Sequence, residues 1–168
     1  MSNVDEIPRI TNVTPPDGAA LFLIGMRINR PLRVRSWFYV FVAMPRMLWH
    51  LRRHREKGML SYRLYLGPSP MVLSYWKSPE ALQNFASDPA APHLPAWRWF
   101  NANVRGRSDV GIWHETYVIG DHESISYAMP SWGLARAFGA IPVDGAHATA
   151  RGRLAENADA RRGCPVSR

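Results

Sequence analysis

Residues 60–82 read LSYRLYLGPSPMVLSYWKSPEAL, and this stretch decides the fold. Two apolar-rich runs, 60–66 and 71–77, flank Gly67-Pro68-Ser69-Pro70, which predicts an antiparallel hairpin closed by a four-residue connection. Ser78-Pro79-Glu80 then opens a helix. It places a hydroxyl at the N-cap, a proline where its missing N–H costs nothing, and a carboxylate at the positive end of the dipole. Ala81, Leu82, Phe85 and Ala86 carry the inward face of that helix. Asp88-Pro89 interrupts it, and a continuation runs from Leu94 to about Val104.

On the N-terminal side, residues 20–29 (ALFLIGMRIN) predict a strand. Phe22, Ile24, Met26 and Ile28 share one wholly apolar face, and Leu21, Leu23, Gly25, Arg27 and Asn29 the other. Pro31 ends the strand, and a helix is expected over 33–57 with Gly58 as its stop. Val34, Trp37, Phe38, Phe41, Met44, Leu48 and Leu51 recur at three- and four-residue steps as a single inward stripe, and Pro45 predicts a kink. On the C-terminal side, residues 110–119 (VGIWHETYVI) predict the last central strand. A short strand at 124–128 and a short helix from Trp132 to Phe138 follow.

The order is β-α-β-β-α-β, which defines an α+β, ferredoxin-like split β-α-β fold with both helices on one face of a four-stranded sheet. The other sheet face is left bare and apolar, so a homodimer forming a dimeric α/β barrel is expected. The organisation read from composition is an N-terminal arm at 1–19, the ferredoxin-like domain at 20–143, and a tail at 144–168. The tail holds almost nothing large and apolar and is expected to be disordered.

The chain has 168 residues and a net charge of +8, which favours anionic partners without specifying the fold. Cys164 is the only cysteine, so neither an intrachain disulfide nor a cysteine metal cage can form. The opening MSNVDEIPRI has no basic-then-apolar leader, and a cytoplasmic location is expected. The longest apolar-rich stretch, Trp37 to Leu51, contains Pro45, Arg46 and His50 and falls short of a membrane span, so no membrane partner is expected. Neither a helix-turn-helix nor an aromatic ribonucleoprotein motif accompanies the basic charge, so no nucleic-acid partner is expected either. His50 and His54 stand four apart on one helical face, but they lie among arginines and lack the glutamate of a zincin motif. No metal is expected.

Tyr75 through Leu82, followed by Phe85 and His93, resembles the antibiotic-biosynthesis monooxygenase superfamily. A monooxygenase-like family of unknown function within it is the closer resemblance. That likeness rests on Phe22 and Ile24–Asn29, Ala43–Met47, Gly58–Tyr65, Ala91–Trp97, Gly111–Tyr117, and Met129-Pro130 with Gly133–Ala135, and spans about residues 20–143. The resemblance implies one of two chemistries. Some superfamily members oxidise polyaromatic phenols with oxygen and no cofactor. Others bind and degrade haem, using an asparagine on the first strand, a tryptophan on the third and a proximal histidine late in the second helix. Asn29, Trp76 and His93 are similar to that set by position, which makes haem b the alternative to a cofactor-free enzyme. Pro92 and Pro95 flank His93 and depart from the helical placement of that ligand.

Candidate catalytic residues are therefore His93, His114 and Asn29. His93 could be a general base or a haem ligand, or a turn histidine bonding backbone. His114 and Glu115 are adjacent on a strand, point to opposite faces and form no dyad. Glu115, a charged residue in a central strand, is expected to need a partner in a structural ion pair, with Arg27 or Arg63 on neighbouring strands able to serve. Asn29 could polarise bound oxygen or a substrate carbonyl, or satisfy the turn before Pro31. Arg27, Trp76, Trp97, Trp113 and Tyr117 are candidates for lining a pocket for an aromatic or polyketide-like small molecule, with aromatic core packing as the other reading of the rings.

Overall fold

The computed structural model describes residues 8–104 and 106–163; Cys164 lies outside the described residues. In chain order the elements are β1 (Arg9–Asn12), β2 (Ala20–Ile28), α1 (Val34–Arg53), β3 (Met59–Tyr65), β4 (Met71–Trp76), α2 (Pro79–Ser87), α3 (His93–Asn103), β5 (Val110–Val118), β6 (Ser126–Tyr127), α4 (Gly133–Phe138), β7 (Ala140–Pro142) and α5 (Ala150–Arg162). They fall into two compact units, Ala20–Val118 and the segments flanking it, each with its own sheet.

The first unit is the α+β, ferredoxin-like fold that the hairpin and its following helix predict. Its sheet has the order β3-β4-β2-β5, antiparallel throughout. Ser78 caps α2 as expected, its hydroxyl accepting from the Ala81 N–H at 3.2 Å, with Pro79 as first helical residue. α1 ends at Arg53; a 3-10 turn over Arg55–Lys57 follows, and Gly58 closes it in the left-handed region at φ 93°. A Cβ on Gly58 would also stand 2.8 Å from the Ala81 Cβ, so glycine is required twice over.

Strand alternation places the core. Ala20, Met59, Val72 and Trp76 pack with Leu48 and Leu51 of α1 and Phe85 of α2, with Phe22 and Ile24 against them. Met26 and Val110 pack with Val104, and Trp37, Val40, Trp99 and Phe100 of α1 and α3 surround them. All three helices therefore lie on the same side of the sheet. Burying a side chain such as Leu51 or Phe85 stabilises by about 1.5–3 kcal/mol. Leu21, Leu23, Gly25, Met71, Leu73, Trp113 and Tyr117 belong to the opposite face, set by the Leu21↔Tyr117, Leu23↔Leu73 and Gly25↔Trp113 pairs. On that face the Trp113 ring lies over Gly25: a Cβ there would stand 2.5 Å from the indole Nε1.

α1 differs from the single inward stripe expected of it. Ser36, Leu48 and Leu51 are buried, whereas Val34, Phe38 and Phe41 are exposed. The helix is apolar around most of its first half, but the sheet can cover only one side of it. α1 runs on through Pro45, which is exposed. Its missing N–H leaves the Phe41 carbonyl without its helical donor on a side that water reaches.

The second unit departs from the arm-and-tail organisation. β1 lies between β6 and β7 in a three-stranded antiparallel sheet, so the segment read as a lead-in arm supplies a central strand. The segment read as a disordered tail carries α5, capped by Thr149, whose hydroxyl accepts from the Gly152 N–H at 3.0 Å. Composition misleads here because α5 is held by polar contacts. Arg153, 5% exposed, reaches Glu123 through Nε and Nη2 at 2.8 and 2.7 Å and donates to the His147 carbonyl at 2.9 Å. Asn157 accepts from the Thr14 hydroxyl at 2.8 Å and donates to the Arg153 carbonyl.

Two outcomes follow from these contacts. Gly25→Ala should cost about 1–3 kcal/mol in denaturant unfolding, most of it recovered in a Trp113→Ala background; equal losses in both backgrounds would contradict the close approach. Arg153→Ala should speed amide exchange across 150–162 by at least about tenfold, and unchanged protection there would mean that the helix does not depend on this pair.

Candidate active site

The corner between α2 and α3 is built by Asp88 and the prolines around it. The Asp88 carboxylate accepts from the Ala90 N–H at 2.8 Å, its carbonyl accepts from the Ala91 N–H at 3.1 Å, and Pro92 leads directly into α3. Lys57 donates to the same carboxylate at 2.6 Å, tying the turn after α1 to the end of α2 and holding the Asp88 carboxyl below its ordinary range. The corner delivers His93, first residue of α3, back to the last turn of α2.

There Nδ1 of His93 lies 2.9 Å from the Ala86 carbonyl oxygen. A carbonyl only accepts, so Nδ1 carries the proton, and in the neutral ring the lone pair sits on Nε2. The bond also satisfies one of the last carbonyls of α2, which have no helical donor. His93 thus closes a turn, and its imidazole is oriented with Nε2 outside that bond.

Phe85, buried in the core, lies next to His93, with ring centroids 6.0 Å apart. Trp76 at 5.9 Å and His50 at 6.2 Å complete the group around it. His50 comes from α1, and its Nε2 is buried without a hydrogen-bond partner. Burial first, then the neighbouring His54 and Lys57, hold the His50 pKa below the ordinary imidazole value, with Asp88 and Glu56 acting the other way. Two imidazoles therefore flank one phenyl ring. Sequence spacing considers His50 only as a metal ligand with His54; it lies off the Leu48–Leu51 stripe, and its approach to Phe85 comes from tertiary packing.

The remaining candidates divide by sheet face. His114 is on the helix-side face of β5, exposed, with its ring edge-on to Phe22 at 5.9 Å. Trp76 is 2% exposed and donates from Nε1 to the Ser74 hydroxyl at 2.9 Å, a core residue. Arg27, Trp113 and Tyr117 are on the opposite face and share no pocket with His114. The Tyr117 hydroxyl donates to Glu115 at 2.6 Å, which raises its pKa. Because β5 is an edge strand and Glu115 is exposed, the carboxylate has no need of Arg27 or Arg63. Asn29 donates from Nδ2 to the Ser108 carbonyl at 3.1 Å and from its backbone to the Asp109 carbonyl at 3.0 Å, fastening the end of β2 to the start of β5. Trp97 is half-exposed on α3 and stacks on Phe100.

Tested against haem, His93 fits an iron ligand: one nitrogen is anchored to backbone and the other is free, as such ligands are held. Trp76 does not fit as a donor to such a group, since its single indole N–H is committed to Ser74, whereas Asn29 gives one hydrogen of its Nδ2 to Ser108 and keeps a second. Among the described residues no group of three or more histidine, cysteine or acidic side chains could hold a metal ion.

An antiparallel four-stranded sheet with its helices on one side defines a ferredoxin-like α+β fold. More narrowly, the chain belongs to the Monooxygenase af470-like family, whose model matches residues 19–134. No curated protein sequence matches it significantly. Among solved structures it is similar to aldoxime dehydratase OxdRE in complex with butyraldoxime, at 18% identity and TM-score 0.60 over 72% of this chain and 37% of that one. A second aldoxime dehydratase matches at 18% identity and TM-score 0.57, over 70% and 36% of the two chains. SnoaB, a cofactor-independent oxygenase from Streptomyces nogalater, matches at 14% identity and TM-score 0.43, over 64% and 97%. The chain spans little more than a third of the length of the aldoxime dehydratases, and the likeness to them is one of fold.

The depressed His50 has a consequence for pH. The folded chain binds fewer protons there than the unfolded chain, so His50's share of stability is complete above the ordinary imidazole value and is lost as pH falls below about 6.5. His50→Phe should flatten the decline in melting temperature between pH 7.5 and pH 5.5 and hold or raise stability at neutral pH, because an unsatisfied buried nitrogen costs about 1–3 kcal/mol. Parallel declines in the two proteins would mean that another group sets the slope.

Proposed function

We propose that the chain is a monooxygenase-like enzyme oxidising an aromatic or polyketide-like small molecule bound between the sheet and its helices, and that it works without a cofactor, as a cytoplasmic homodimer. The observation that carries the reading is the His93 imidazole, oriented by the Ala86 carbonyl so that Nε2 is free to accept a proton. Membership of the monooxygenase family supports the reaction class. The sheet face away from the helices bears Leu21, Leu23 and Leu73, all half-buried, and supports pairing with a second copy, which would bury them further. Among the described residues no helix is long and apolar enough to cross a membrane.

In this reading an electron-rich phenol gives its proton to His93 Nε2, and the phenolate reacts directly with dioxygen. One oxygen atom enters the ring to leave a quinone, and the other departs with two hydrogens as water. The base supplies about 10²- to 10⁴-fold. His114, beside Phe22 on the same side of the sheet, is the second group able to move protons.

The same free nitrogen supports the second reading, a haem enzyme with His93 as iron ligand. Haem b, when bound, would supply an iron centre that binds the substrate or oxygen. The chain would hold it through His93 Nε2, with Phe85 beside the ligand ring. A third role, non-catalytic ligand binding, uses the same site with no turnover.

The absorption spectrum of the purified and haem-titrated protein, together with oxygen uptake on a panel of quinols and polyphenols, separates these readings. The cofactor-free enzyme shows no Soret band and consumes oxygen, with His93→Ala lowering the rate by at least about a hundredfold. A Soret band lost in His93→Ala assigns the haem reading instead. Tight substrate binding with neither band nor uptake leaves the binding module and removes both enzymes.

A further inference from the structure

The outer surface of α1 has no role in the site above. The segment from Arg27 to Arg55 contains eight arginines and no acidic residue, so its formal charge equals the +8 of the whole chain. Within α1 the residues Val34, Phe38, Phe41, Pro45, Trp49 and Arg52 follow one another at helical steps of three and four, and all six are exposed. Phe38 is 55% and Trp49 58% exposed, and Leu32, in the turn leading into the helix, is 96% exposed. Arg35, Arg46 and Arg53 run beside this stripe, and the Arg53 guanidinium stacks 3.8 Å from the Trp49 ring centroid. Of the arginines in the segment, Arg30 alone has a carboxylate partner among the described residues, Asp109 at 3.5 Å.

From this surface we infer that the outer face of α1 docks on an anionic lipid surface, with Leu32, Phe38, Phe41 and Trp49 entering the headgroup boundary and the arginines meeting lipid phosphates and carboxylates. The pattern is that of a helix lying in the plane of a membrane: a narrow apolar face, a tryptophan and a flank of arginines. It does not span a bilayer, and it goes beyond the expectation of no membrane partner, which rested on the lack of a span. Charge decides against the other occupants. A second copy of this face would set unpaired arginines against arginines. Nucleic acid would use the arginines and leave the apolar stripe in water.

The test is cosedimentation of the full chain with vesicles of phosphatidylcholine alone and with about 30% phosphatidylserine, in about 0.1 M salt. Binding to the anionic vesicles should exceed binding to the neutral ones by at least about tenfold and weaken as salt is raised. Phe38→Ser with Trp49→Ser should lower it by about tenfold or more, and Arg46→Glu by about fivefold or more. These side chains are exposed, so circular dichroism and melting temperature should stay at their wild-type values. The proposal is overturned if anionic vesicles do not bind the chain, if neutral and anionic vesicles bind it equally, or if the double variant binds as well as wild type. It is equally overturned if the double variant shifts to a smaller species on size exclusion, since the stripe would then be covered by another copy.

Discussion

The two-residue period of β2 is the constraint on which the first unit depends. Every second residue, from Ala20 through Met26, faces the helices and is packed by them; the residues between face away. A slip of one residue would exchange Phe22, Ile24 and Met26 for Leu21, Leu23 and Gly25. Trp113 would then lose the one position on β2 without a Cβ, over which its ring can lie. The pairing of β2 with both β4 and β5 fixes this register across the sheet and with it the side on which any functional group can act.

That constraint also divides the chemistry. His114 and the cluster of Trp76, Phe85, His93 and His50 belong to the helix side, joined through Phe22 and the apolar core. Trp113, Tyr117 and Arg27 belong to the other side, where a second copy would pack in the proposed dimer. Residues only a few positions apart in β5 therefore face different surroundings. The helices cover β5 at its start, where Val110 packs, but not at His114, which is open to solvent, while Trp76 on the inner strand β4 is sealed.

The outer face of α1 follows from the same geometry. One layer of helices over one sheet leaves each helix an outer side, and polar residues usually occupy it. Here phenylalanines and a tryptophan occupy it beside arginines that have no carboxylate partner among the described residues. A single stripe would have been enough for the core; the second stripe calls for a second apolar neighbour, and the charge around it says what kind.

The sequence alone determined the order of strands and helices in the first unit, the capping of α2, the alternation of β2 and the family, because each depends on local spacing or on motifs carried by contiguous residues. The corner that carries His93 was also legible, since prolines flank it. Only the tertiary structure decided which nitrogen of His93 is free, because that depends on the Ala86 carbonyl of a preceding helix. It alone revealed that Asn29 donates to Ser108 and Trp76 to Ser74, that His50 Nε2 is buried without a partner, and that α1 turns Phe38 and Phe41 outward. The same holds for the second unit, where β1 pairs with strands more than a hundred residues away and α5 is held by a buried arginine. Periodicity marks what is apolar along one element, whereas burial and hydrogen bonding depend on which surfaces meet after the chain has closed on itself.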